Sequence, residues 1–195
     1  MHLWAPGRLQ HMQCDLSVMI SPEMYERLVI PELEQQMDWL SYPVYHFDGV
    51  EQERHLSHLL GLSKLRAIQW TNVDGQAPPR AYLSVLKRIQ ASGKNLILMT
   101  PAEDVPELLD HLSAAGLYLH CAARSPEEAD ALVRYVERYS RVRKIEGFCF
   151  EKGFLRTGAA TVDIYDYVER QMENEAIASL HLWNGCGTRR ASDPE

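Results

Sequence analysis

Three things are scarce in this 195-residue chain, and each scarcity removes a class of function. The first is a long apolar run. No stretch approaches the ~18 residues needed to cross a bilayer. The segment Met1-His-Leu-Trp-Ala-Pro-Gly-Arg8 also lacks the apolar core of a secretory leader. No membrane association is expected, and a cytoplasmic location is. The second is positive charge: 20 Lys and Arg stand against 27 Asp and Glu, for a formal net charge of -7. That balance opposes broad attraction to nucleic acid or anionic membrane. The basic clusters Arg141-Val-Arg-Lys144 and Arg189-Arg190 are too small to reverse it, and the first reads as a solvated helix end. The third is paired cysteine. Cys14, Cys121, Cys149 and Cys186 are far apart, with no C-x-x-C. A disulfide framework is not expected, and a reduced compartment fits. Distant cysteines can still meet in space, so a metal site stays open.

What is present is an ordinary globular composition, 46% hydrophobic and 24% charged, in a length that suits one or two domains. Cys14 to Ile20 reads as a short strand or the approach to a helix. Ser21-Pro22-Glu23 is a helix start: Ser21 caps, Pro22 suits the first helical position and Glu23 suits the positive helix end. Met24, Leu28, Val29, Leu33, Met37 and Leu40 keep helical spacing. Pro31 interrupts them, which predicts a kink or two consecutive helices.

Val44 to Asp48, bounded by Pro43 and Gly49, reads as a strand. A helix over 55–62 and a strand over Leu65 to Trp70 follow. The polar loop Thr71 to Pro79 is long enough to be functional. A helix over 81–91, a strand at Asn95 to Met99, a helix from Pro101 to Gly116, a strand at Leu117 to Cys121 and a helix from Ser125 to Tyr139 complete the series. Short strands alternating with helices predict a parallel sheet covered by helices. The remainder breaks the rhythm: Ile145 to Phe150 reads as a strand, Val162 to Leu180 as a helix and 188–195 as a disordered tail.

In parallel β/α folds, sites form at the carboxyl ends of strands. Those ends carry His46 and Asp48, then Gln69 and Trp70, then Thr100, then His120 and Cys121. His46 and Asp48 are two apart and so share a side of their strand. His46, Asp48 and Cys121 are suitable ligands for a borderline metal such as zinc. Asp74, in the long loop, is a further contributor. Structural readings stand beside these. A single strand histidine serves packing more often than ligation, Asp48-Gly49 is also a turn signal, and Cys121 is also a small buried apolar residue.

Gln13-Cys-Asp-Leu-Ser17, Ile20-Ser-Pro-Glu-Met24, Pro31-Glu-Leu33, Tyr45-His-Phe-Asp-Gly49 and Ile68-Gln-Trp70 resemble the uroporphyrinogen decarboxylase superfamily, over residues 10–140. The likeness is strongest to its decarboxylase-like proteins grouped with corrinoid methyltransferases. It implies a (β/α)8 TIM-barrel type, with this chain similar to the C-terminal half. Residues 1–143 would be that partial barrel and 144–195 a C-terminal extension. A barrel of this type is typically about 250 residues. A half-barrel leaves open sheet edges, so a homo-oligomer or a barrel-completing partner chain is expected.

The resemblance further implies methyl transfer between a corrinoid, carried by a partner protein, and a small acceptor. Zinc would sit at His46, Asp48 and Cys121 and activate the acceptor as a Lewis acid. His46 falls on a family zinc ligand, Asp48 stands where the family has a cysteine, and Cys121 falls near a later ligand. Asp15 would orient substrate, giving a catalytic set of Asp15, His46 and Asp48. Gln69, Trp70 and Asp74 would bind substrate. The alternatives are a metal-free, tetrapyrrole-binding decarboxylase-like protein and a non-catalytic truncated barrel subunit.

Overall fold

The computed structural model describes residues 3–141 and 161–165, the last five by their backbone. Six strands and six α-helices alternate. The strands are β1 Leu9–Met12, β2 Tyr42–Phe47, β3 Ala67–Trp70, β4 Asn95–Met99, β5 Leu117–Ala122 and β6 Thr161–Tyr165. The helices are α1 Pro22–Leu28, α2 Ile30–Trp39, α3 Leu56–Gly61, α4 Leu83–Ala91, α5 Val105–His111 and α6 Pro126–Tyr139.

Local chemistry explains most boundaries. Ser21 Oγ accepts from the Met24 amide at 3.2 Å, and Ser125 Oγ accepts from the Glu128 amide at 3.2 Å. Each capping serine precedes a proline at the start of its helix. Pro31 divides two consecutive helices, α1 and α2, joined through Val29. Gly116, at φ +70, makes the left-handed turn into β5, where a Cβ would lie 2.5 Å from Asn95 Oδ1.

All six strands are parallel and lie in chain order, β1-β2-β3-β4-β5-β6. Among the described residues β1 and β6 are therefore the sheet's edges. Helix residues Tyr25, Leu33, Leu59, Leu86, Leu108 and Val133 share one core with Tyr45, Phe47, Ile68, Trp70, Leu98 and Leu119 of the strands. Val44, Ala67 and Ile97 form a separate, smaller cluster with Leu3 and Tyr118. In β2, β3 and β4 these residues alternate with those of the larger core. The helices thus cover one face of the sheet, and the second face is distinct. A sequentially ordered parallel sheet with its helices on one face is compatible with a partial barrel.

Two findings depart from the sequence reading, and one decides between its alternatives. Leu9–Met12, unassigned there, is the first strand. Cys14 to Ile20 is the approach to a helix, the second of its two readings, with Asp15–Met19 a 3-10 turn ahead of α1. Thr161–Tyr165, whose last four residues were expected to open a helix, is instead a strand hydrogen-bonded to β5, with Asp163 in register with His120. Its run of β-branched and aromatic residues, Thr-Val-Asp-Ile-Tyr, suits a strand. The expected strand at Ile145 to Phe150, the rest of the expected helix and the tail 188–195 lie outside the described residues. Among the described residues no helix is long and apolar enough to cross a membrane.

Candidate site at the carboxyl end of the sheet

Register fixes which strand residues stand together. His46 pairs with Gln69, Gln69 with Ile97, and Ile97 with Tyr118. Partners in a parallel ladder point to the same side, so these residues lie on the face opposite the helices. One position further along each strand the side chains reverse. Phe47 and Trp70 stack in the helix-side core with ring centroids 5.4 Å apart, and Tyr82 lies against the Trp70 ring at 5.2 Å.

Five polar side chains form a continuous chain on the face opposite the described helices and on its rim. His46 Nε2 lies 3.0 Å from Asp48 Oδ1. Its Nδ1 lies 3.1 Å from Gln69 Oε1. Gln52 donates to Asp48 Oδ2 at 2.8 Å, and Gln69 donates to Thr71 Oγ1 at 3.0 Å. Both ring nitrogens of His46 are therefore engaged. Asp48 keeps open acceptor capacity: an ionised carboxylate offers about four lone-pair sites, and two donors are in place.

The backbone is shaped to bring these groups together. Gly49, at φ +64, turns the chain out of β2 into a 3-10 segment, Gly49–His55, that carries Gln52 back over Asp48. A Cβ at Gly49 would lie 2.1 Å from Gln76 Oε1 and 3.1 Å from the Thr71 carbonyl, so the loop after β3 packs directly on this turn. That loop is pinned from within. Trp70 Nε1 donates to Asn72 Oδ1 at 2.9 Å, and Asn72 donates to the Ala77 carbonyl at 2.8 Å. His11, on β1, has its pKa lowered by burial and then by the nearby His46.

The two ends of the sheet treat buried polar atoms differently. At the amino end, Gln90 and Ser113 exchange two bonds, at 2.8 and 2.9 Å, and Lys94 donates to the Leu62 carbonyl at 2.6 Å. At the carboxyl end, Gln52 Oε1, Gln76 Oε1, Thr100 Oγ1 and Asp104 Oδ2 are buried with no hydrogen-bond partner among the described residues. An unpaired buried polar atom costs about 1–3 kcal/mol. A fold tolerates several together where a ligand will satisfy them.

The structure brings His46, Asp48 and Gln69 together and separates the others. Cys121 is fully buried with Leu119 in the helix-side core, on the opposite face from His46. Trp70, also fully buried, belongs to that same core rather than to a substrate surface. Asp74 is exposed at the tip of the loop after β3. Asp15 is exposed on the 3-10 turn after β1, at the same end of the sheet as Asp48. The expected zinc set is thus not assembled. His46 already bridges Asp48 and Gln69, Cys121 faces away, and no three His, Cys, Asp or Glu side chains converge as a metal site among the described residues. Sequence reading missed Gln52, Thr71 and Gln76. Thr71 follows Gln69 at the strand period of two, and Gln52 is four residues beyond Asp48; those spacings were the available signals.

No family model, curated protein or solved structure matches the chain.

Proposed function

We propose that this chain is an enzyme related to the decarboxylase-like barrels, acting on a small organic molecule at the carboxyl ends of β2 to β4. Sequential parallel strands with helices on one face support reading the fold as part of a (β/α)8 barrel, whose sites lie at this end. The observation that carries the proposal is the chain Gln52–Asp48–His46–Gln69–Thr71, built on the face that no helix covers among the described residues. In it Asp48 is the group open to substrate. His46 and Gln52 hold the carboxylate in one orientation, and Gln69 fixes the His46 ring from behind. That arrangement suits Asp48 to bind a donor group and to exchange a proton with it, with His46 as the adjoining proton store.

Corrinoid-dependent methyl transfer is the second reading. Its support is the placement of His46 and Asp48 together at one strand end, as the family resemblance implies. It lacks its zinc ligand set among the described residues, so no step is assigned through a metal.

Thermal-shift screening of the full chain against a library of small metabolites tests the proposal. Compounds bound here should raise the melting temperature of the wild type and have little effect on His46→Ala or Asp48→Asn, because only native-state binding stabilises. Hits that stabilise all three proteins equally would contradict it.

A further inference from the structure

The carboxyl-end turns are acidic, and their cations are already used. Asp15, Asp48, Glu51, Glu53, Asp74, Glu103 and Asp104 outnumber Arg54, Arg80 and Arg124, and no lysine occurs in these turns. Arg54 donates to the Val18 carbonyl at 2.9 Å. Arg80 pairs with Asp104 at 2.8 Å, and Arg124 with Glu128 at 2.8 Å. Among the described residues Arg80 and Arg124 are ion-paired and Arg54 is held by backbone carbonyls, so acidic groups dominate these turns and a ligand with positive charge would meet a favourable field.

The unpaired buried atoms point the same way. Gln52 is 1% exposed, and its Nε2 is spent on Asp48. Its Oε1, on that same amide beside the carboxylate, has no partner among the described residues. Gln76 Oε1 is also unpaired and lies against Gly49, the residue after Asp48. With the remaining lone pairs of Asp48, both groups are acceptors, and what they lack is a donor. Each of these three groups accepts hydrogen bonds, so the ligand that would satisfy them is one rich in N–H donors.

We infer that the Asp48 site recognises a small protonated amine, whose N–H groups donate to Asp48, Gln52 Oε1 and Gln76 Oε1. This inference rests on the reading of the strand ends as the functional site and names the substrate class for it.

The test is an NMR titration of the full chain carrying isotope-labelled histidine, with the His46 ring signal assigned through His46→Gln. The probes are methylammonium chloride, sodium acetate, inorganic phosphate and zinc chloride, at constant ionic strength. Methylammonium should move the His46 signal saturably, and acetate and phosphate should not. Asp48→Asn should weaken the methylammonium response about tenfold or more, the loss expected for a charge-assisted contact. Asp38→Asn, on α2 and paired with Lys64, should leave it unchanged. A stronger response to acetate or phosphate would overturn the amine while leaving a small-molecule site at the strand ends. Stoichiometric zinc binding at His46 that methylammonium does not relieve would overturn it in favour of a metal. Silence from methylammonium overturns it as well, and the library comparison of wild type with His46→Ala then judges the site by itself.

Discussion

The two faces of the sheet are made from alternate residues of the same strands, yet they are chemically unlike. In β2, His46 faces away from the helices and Phe47 faces them; in β3, Gln69 and Trp70 divide the same way. The helix-side face is a continuous apolar core of stacked rings and leucines. The other carries Val44 and Ala67 beneath His46 and Gln69, with Ile97 level with Gln69. A parallel strand buried on both sides ordinarily reads as a continuous apolar run. All four residues of β3 are buried, yet Gln69 is among them, only 5% exposed. The difference teaches that the helix-side face is packed as a continuous apolar core, while the opposite face gives buried positions to hydrogen-bonded polar groups.

The largest expected effect lies on the core face. Trp70→Ala removes a fully buried ring that packs between Phe47 and Tyr82. It should destabilise the protein by about 3–5 kcal/mol, as deletion of buried aromatics generally does, measured by urea unfolding. If Trp70 lined a substrate surface, the loss would appear in binding instead, with the unfolding midpoint little changed.

The pH dependence of stability sharpens the comparison, because the two faces respond at opposite ends. On the helix side, Tyr25 donates to Tyr45 at 2.8 Å, and burial raises both phenols above the ordinary value of 10.0. Their contribution is complete below pH 10.0 and is lost as pH climbs through the raised values, since the unfolded chain ionises first. On the other face, burial and the neighbouring His46 lower the pKa of His11 below 6.5. Its contribution is complete above pH 6.5 and is lost as pH falls toward the lowered value, because the unfolded chain takes up the proton first. Urea midpoints measured across pH should show both limbs. The double variant Tyr25→Phe/Tyr45→Phe should flatten the alkaline limb, and His11→Gln the acid one. A limb that survives its variant would assign it to other groups.

Much of this was legible in the sequence. Ser21-Pro22 and Ser125-Pro126 mark helix starts by chemistry that needs no tertiary context. The bracket of Pro43 and Gly49 marks β2. By contrast, β1 was not legible, because Leu9-Gln-His-Met12 buries only Met12 and shows no pattern of its own. At the site, the strand period of two joined His46 to Asp48 correctly. Trp70 and Cys121 failed by the same rule: each adjoins a residue of the face opposite the described helices, Gln69 or His120, and therefore points the other way. Which face a residue takes depends on register with neighbouring strands, and no single strand encodes that. Gln52 had only its four-residue spacing from Asp48 as a signal, and Gln76 had none, because the loop after β3 meets the turn at Gly49 only in the fold.

The smallest expected effect tests the central claim most directly. If the polar layer serves a ligand rather than the fold, it can be made apolar at little cost: both members of the His46–Gln69 contact are replaced together, and Asp48 and Thr71, the partners left behind, are half-buried at the rim where water can reach them. The measurement is equilibrium urea unfolding of the double variant His46→Leu/Gln69→Leu beside wild type. The account predicts a midpoint equal to or above wild type with the same slope. A midpoint lowered as far as that of Trp70→Ala would contradict it and return His46 and Gln69 to the framework of the fold.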